Sequence, residues 1–110
     1  MRSKSLADFE LLVMLAALRL GPDEAYTVSI GDDITRRTGR SVRRANVFTT
    51  LERLEKKGLV STRLGARHPE RGGRPPRLVS VNAEGLAAVR ATTGAIQAMV
   101  GDLDVVGEPG

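Results

Sequence analysis

The spacing of two amphipathic segments near the centre of this 110-residue chain restricts its fold more than any other feature. Each segment carries apolar residues at intervals of three or four, the period of a helix. The apolar positions are Tyr26, Ile30 and Ile34 in the first segment and Val47, Leu51 and Leu54 in the second. Only Gly39, Arg40 and Ser41 separate the two predicted helices. Two helices joined by so short a turn, with a glycine in it, form a helix-turn-helix.

The residues around these segments predict where the helices begin and end. We expect the first helix of the pair to begin near Asp23 or Glu24, and Ser41 to cap the second, which Gly58 ends. An earlier helix is expected to begin at a Ser5 cap and to end at Gly21. Its apolar positions are Phe9, Leu12, Val13, Ala16 and Leu20.

Two strand patterns follow the helix pair, at residues 59–64 and 77–81, with a long Gly-, Pro- and Arg-rich tip between them. Asn82 is expected to cap a fourth helix. The fold class is therefore α+β and mainly α: a winged helix-turn-helix with a two-stranded wing and a C-terminal dimerisation helix. Residues 1–82 would form the winged domain, residues 83–103 the dimerisation helix, and residues 104–110 a frayed tail.

Basic residues concentrate between Arg36 and Arg77, in a chain with 17 Lys and Arg against 13 Asp and Glu. On the second helix of the pair, one row at steps of three and four holds no carboxylate. Its members are Arg43, Asn46, Thr50, Arg53 and Lys57. Arg suits guanine, Asn suits adenine, and Thr suits a phosphate or a thymine methyl group. The row predicts contact with duplex DNA, although a solvated basic helix face is the plainer alternative.

Positions along this helix suggest different roles for its side chains. Recognition helices present their N-terminal residues to base edges, so Arg43, Arg44 and Asn46 are the expected base contacts. Thr49 or Thr50 would take a base contact if the helix entered the groove more deeply. Arg53 and Lys57 are expected to meet phosphates.

The wing tip is the second predicted DNA contact. Arg67, Arg71 and Arg74 stand among glycines that permit close backbone approach, and arginines suit phosphates or a narrow minor groove. The alternative is a mobile basic loop without specific contacts.

A heptad-like seam on the fourth helix predicts a homodimer. Its members are Leu86, Val89, Thr93, Ile96, Val100 and Leu103, and Phe9 and Leu12 of the first helix are expected to add to the interface. Packing of this seam on the first helix of the same chain is the alternative.

Other functional classes find little support in the sequence. The chain has no cysteine and one histidine, His68, so neither a metal site nor a cofactor is expected. Asp32 and Asp33 are neighbours, which diverge on a helix, so we interpret them as solvated and predict no enzyme. The longest apolar run, residues 11–18, is too short to cross a membrane, and a cytoplasmic location is expected.

Several segments together resemble the PadR-type regulators. Residues 9–21 followed by Ala25 and Tyr26 are similar to the opening of that family, residues 47–60 to its third helix and first wing strand, residues 70–74 to its wing tip, and residues 82–85 to the start of its fourth helix. The chain departs from the family at Phe48, where tyrosine is usual, and at Arg43 and Ala45. It also lacks the tryptophans between which some short members bind flat drugs.

The resemblance implies a transcription factor of the short subgroup with one C-terminal helix. We therefore expect a sequence-specific double-stranded-DNA-binding regulator, a homodimeric repressor on a palindromic operator, with an unidentified small-molecule effector as a further partner. The competing hypothesis is a winged-helix protein-interaction module that does not bind nucleic acid.

Overall fold

The computed structural model describes residues 5–66 and 75–103. Its elements are α1 (Asp8–Leu20), α2 (Thr27–Thr38), α3 (Arg44–Lys56), β1 (Val60–Leu64), β2 (Arg77–Val81) and α4 (Ala83–Val100). The two strands pair antiparallel, with Val60 opposite Val81 and Leu64 opposite Arg77. The predicted winged helix-turn-helix is therefore confirmed. None of the helices in the described ranges is long and apolar enough to cross a membrane.

The core lies between the first three helices, the sheet and the first half of α4. The largest fully buried side chains are Met14, Ile30, Leu54, Leu59, Val13, Val47 and Val79. Burial of this apolar surface is the main force that holds so small a domain together. The apolar rows predicted for α2 and α3 are confirmed in it through Ile30, Ile34, Val47, Leu51 and Leu54.

Three of the four predicted helix starts are wrong. The residue before α1 is Ala7, whose N–H donates to the Glu10 carboxylate at 2.9 Å, so the side chain that satisfies this end is Glu10 and not Ser5. At the start of α2, which was predicted near Asp23 or Glu24, the preceding residue is Tyr26, and Ser29 Oγ accepts a hydrogen bond from its N–H at 3.0 Å. Arg43 precedes α3 in place of the predicted Ser41. Glu10 and Ser29 satisfy a backbone N–H from inside their helices, a pattern that cap residues alone do not reveal, whereas the Arg43 side chain makes no cap hydrogen bond.

The start of α2 at Thr27, later than predicted, has a tertiary cause. The N–H of Val79 on β2 donates to the carbonyl of Ala25 at 2.8 Å, which holds that residue as a backbone partner of the sheet. Arg63 on β1 adds a 2.7 Å ion pair to Asp23. The segment before α2 is therefore bonded to the sheet and does not extend the helix.

The start of α4 is as predicted and is tightly fixed. Asn82 Oδ1 accepts from the N–H of Gly85 at 2.8 Å, while Asn82 Nδ2 donates to the carbonyl of Gly58 at 2.9 Å. One side chain thus caps α4 and joins it to the end of α3. Val89 is buried in the core of the same chain, and the N–H of Leu6 donates to Thr92 Oγ1 at 3.2 Å. The first half of α4 accordingly packs on the same core as the first three helices.

Candidate nucleic-acid interface

The core contacts of α3 decide which of its faces is exposed. Because Val47, Leu51 and Leu54 are buried, the opposite row points away from the domain. That row consists of Ala45, Thr49, Glu52 and Lys56, all of them exposed. Asn46 and Arg53 flank it on the side of α1, and Phe48 and Glu55 flank it on the side of the wing.

Of the seven described side chains predicted to meet DNA, five are exposed. Arg43, Arg44, Asn46, Thr49 and Arg53 are all exposed. None of these five side chains forms a hydrogen bond or an ion pair with the residues that the structure describes. Cationic and amide groups without an internal partner are free to meet an external one.

Thr50 was predicted as a possible DNA contact, and its burial contradicts that prediction. Only 5% of Thr50 is exposed, and it lines a cleft together with Phe9 of α1. The row from Arg43 to Lys57 borders the core on the side of α1, so the middle of the row turns toward that helix. Thr49, one position earlier, points outward in its place.

Lys57 was predicted to meet phosphates, but the structure pairs it within the chain. Its Nζ lies 2.8 Å from Oε2 of Glu10, a carboxylate that is itself buried. Burial alone would raise the pKa of Glu10. The hydrogen bonds from Lys57 and from the Ala7 N–H, together with the positive charges of Lys57 and Arg53, outweigh this effect and hold the pKa below its ordinary value of 4.5. Lys57 therefore attaches the end of α3 to α1.

Asp33 was interpreted as solvated, and this is wrong. It is buried on α2 and accepts from Arg36 Nη2 at 2.9 Å and from Arg37 Nε at 3.0 Å. Arginines three and four positions later reach back over it, which compensates the buried charge. Asp32, its neighbour, is exposed as expected.

The cations from residue 36 to residue 63 thus fall into two groups. Those with a carboxylate partner are Arg36 and Arg37 with Asp33, Arg40 with Asp8, Lys57 with Glu10, and Arg63 with Asp23. Those without an ion pair in the described ranges are Arg43, Arg44, Arg53 and Lys56. Every member of the second group belongs to α3 or directly precedes it. The uncompensated positive charge of this region lies on the helix predicted to contact DNA.

An open cleft of about 490 Å³ lies on the α1 side of this surface. It is lined by Phe9, Arg40, Ser41, Val42, Asn46, Thr49, Thr50 and Arg53. Arg40 closes one part of it through a 2.6 Å ion pair with Asp8. Asn46 and Arg53 stand at the border between this cleft and the exposed row.

The base of the wing is attached to α3 by a short chain of hydrogen bonds. Arg77 Nη1 donates to Thr62 Oγ1 at 3.0 Å, and Thr62 Oγ1 donates to Glu55 Oε2 at 3.1 Å. The wing-tip candidates Arg67, Arg71 and Arg74, like His68, lie outside the described residues. Through these bonds the described strands are fixed to α3.

Sequence reasoning missed Glu52, Lys56 and Phe48, which lie in or beside the exposed row. A full helical wheel centred opposite Val47, Leu51 and Leu54 would have found them, because it places position 52 farther from the core than position 50. The predicted row from Arg43 to Lys57 contains no carboxylate, and it lies closer to α1 than the exposed row does.

The predicted dimer residues divide into two sets. Val89 is buried and Phe9, Leu12, Leu86, Thr93 and Val100 are half-buried within the single chain. Ile96 and Leu103 remain 48% and 55% exposed, as does Met99 at 80%, which the seam did not include. Ile96 and Met99 continue the buried face of α4 toward its C-terminus, whereas Leu103, predicted as part of the seam, lies beyond the helix, which ends at Val100.

No family model and no curated protein matches this chain, but solved structures do. A PadR family transcriptional regulator from Eggerthella lenta has a TM-score of 0.63 and 22% identity, covering 80% of this chain and 73% of its own. A PadR-like transcriptional regulator from Bacillus cereus has a TM-score of 0.65 and 18% identity, covering 89% and 94%. The MepR–DNA complex from S. aureus has a TM-score of 0.58 and 18% identity, covering 90% and 66%. The chain therefore has the winged helix-turn-helix fold found in PadR-type transcriptional regulators.

Proposed function

We propose that this chain is a sequence-specific, double-stranded-DNA-binding transcriptional regulator and that it acts as a homodimeric repressor. The observation that carries the proposal is the set of unpaired polar side chains on α3. Arg43, Arg44, Asn46 and Arg53 are exposed and have no partner among the described residues. Arg and Asn are the side chains that best distinguish guanine and adenine in the major groove.

The electrostatics of the start of α3 support the same proposal. The residue before the helix is Arg43, its side chain does not cap the first turn, and that turn holds no acidic residue. The partial positive charge of the helix N-terminus is thus reinforced by Arg43 and Arg44. Phosphate groups of a DNA backbone suit this charge.

The similar structures support a regulator and not an enzyme. Two are named as PadR-type transcriptional regulators, and the third was solved with DNA bound. In the residues described for this chain, no group of three His, Cys, Asp or Glu side chains is arranged to hold a metal ion. A winged helix with an unpaired basic recognition helix is better suited to DNA than to catalysis.

The exposed end of α4 supports the homodimer. Ile96 and Met99 extend an otherwise buried apolar face along the second half of α4, and Leu103 is exposed just beyond the end of the helix. Contiguous exposed apolar surface of this kind is typical of an interaction site. A second copy related by a twofold axis would cover both faces at once and would demand a palindromic DNA site.

A binding series tests the proposal against a protein-interaction module. Affinity for duplex DNA should fall steeply with salt concentration, because each neutralised phosphate adds about 0.9 to the log-log slope. Asn46→Ala should cost about 1–3 kcal/mol on a selected site and much less on random duplex. The control, Lys56→Ala, removes a point charge from the same helix and should weaken both duplexes alike. Absence of duplex binding even at low salt would refute the function.

A further inference from the structure

The two carboxylates that α3 presents on its outer side have different environments. Glu55 accepts a hydrogen bond from Thr62 Oγ1 at 3.1 Å and thereby joins α3 to the wing. Glu52, in the exposed row, forms no hydrogen bond or ion pair within the described ranges. Arg77 lines the same cleft as Glu52 but donates to Thr62. Glu55 has a structural partner and Glu52 has none.

A free carboxylate in this row opposes the charge of the surface around it. Arg53 is its neighbour in sequence and Lys56 stands one helical turn later, and neither forms an ion pair with it in the described ranges. On a surface that approaches phosphates, an unpaired negative charge lowers affinity for every DNA sequence. Such a group is favourable only where the DNA offers a hydrogen-bond donor. Among base edges in the major groove, donors are the amino groups of cytosine and adenine.

We propose that Glu52 determines specificity by accepting the N4 amino hydrogen of a cytosine in the major groove. The inference rests on the DNA-binding function proposed above. Adenine suits the carboxylate less, because its amino group stands beside the N7 acceptor, whereas the cytosine amino group stands beside the apolar C5–H edge. Thymine and guanine present acceptors, O4 and O6, that repel a carboxylate.

The neighbour of Glu52 on the wing side fits the apolar part of this edge. Phe48 stands one helical turn earlier, is 49% exposed, and lines the same small cleft of about 70 Å³ as Glu52. Residues four apart lie about 5–6 Å from each other on a helix surface. A carboxylate beside an aromatic ring matches a donor beside an apolar C–H edge, which is the pattern of cytosine.

The test compares three variants by selection from a random duplex pool and by competition binding. The wild-type site should contain one cytosine in each half, and its replacement by thymine should cost about tenfold in affinity. In Glu52→Ala this penalty should fall below about twofold. In Glu52→Gln the preference should move to adenine, because an amide matches the adenine N6 and N7 together. Glu55→Gln removes the same charge one turn away and should keep the cytosine.

The outcomes separate this inference from the function on which it rests. If wild-type protein selects a site and Glu52→Ala selects the same cytosine with an undiminished penalty, the role of Glu52 is wrong and DNA binding stands. A wild-type site with no preferred cytosine in its half-sites would likewise refute the role of Glu52 and leave DNA binding intact. If wild-type protein binds no duplex, both proposals fail. Glu52 is exposed, so its variants should unfold at the wild-type temperature.

Discussion

Gly85 is the position at which a single methyl group should do most damage to this fold. A Cβ atom on Gly85 would lie 2.1 Å from the carbonyl oxygen of Leu59 and 2.9 Å from both Met14 Cε and Val81 Cγ1. The Met14 and Val81 side chains can change conformation, but the Leu59 oxygen is part of the backbone and also accepts a hydrogen bond from the Asn82 N–H at 3.2 Å. The start of α4 would have to move away, and its cap would be weakened.

The magnitude follows from the terms that change in Gly85→Ala. Overpacking of a tight contact costs about 1–3 kcal/mol, and loss of a helix cap costs about 1 kcal/mol. The gain in helix propensity returns about 1 kcal/mol. The free energy of unfolding should therefore fall by about 1–3 kcal/mol. For a domain of this size, each kcal/mol lowers the melting temperature by about 4–8 °C.

Gly94 on the same helix provides the matched control. A Cβ atom there would meet nothing within 4 Å, so Gly94→Ala should raise the free energy of unfolding by about 1 kcal/mol through propensity alone. Both variants should be melted at one protein concentration, because a dimer unfolds in a concentration-dependent way. If Gly85→Ala proves as stable as Gly94→Ala, the close approach of α4 to Leu59 is not a constraint on the fold.

Three further outcomes test other contacts. The pKa of Glu10 is lowered in the folded state, so its contribution to stability is complete above the ordinary value of 4.5 and is lost as pH falls through the lowered pKa. Urea midpoints of the wild type should hence drop more between about pH 5 and pH 3 than those of Glu10→Gln; equal slopes would contradict this. Ile96→Asp should give monomers by light scattering at micromolar concentration, whereas Ala98→Asp, on the other side of α4, should not. Joint removal of Arg71 and Arg74 should reduce the salt slope of DNA binding by up to about 2, and an unchanged slope would mean that the wing tip does not contact DNA.

The elements of the fold could be predicted from the sequence because each is encoded by a local pattern. The rows that contain Ile30 and Val47 identified α2 and α3, and the segments on either side of the Gly-, Pro- and Arg-rich tip identified both strands. Helix starts could not be predicted equally well. The start of α2 depends on a bond between Ala25 and Val79, which are distant in sequence, and no local pattern contains that information.

The candidate site was predictable in part for the same reason. Arg43 and Asn46 are exposed simply because they lie off the apolar row. The burial of Thr50 and the ion pair of Lys57 both depend on α1, which packs against that side of α3 and supplies Glu10. Adjacent residues on a helix differ by about 100° in direction, so the contact with α1 alone decides that Thr50 is buried and Thr49 exposed.

The distribution of ion pairs explains how a net charge of only +4 is compatible with a cluster of unpaired cations on and beside α3. Surface ion pairs contribute little to stability, so the pairs at Asp8 and Asp23 are poor candidates for holding the domain together. Their effect is on the electrostatic potential, because each neutralises a cation that does not lie on the outer face of α3. Arg43, Arg44, Arg53 and Lys56 form no ion pair within the described ranges, and the positive potential is concentrated where these side chains stand. Glu52 is the exception within that positive potential, and the proposed contact with cytosine would give this carboxylate a hydrogen-bond donor on the DNA.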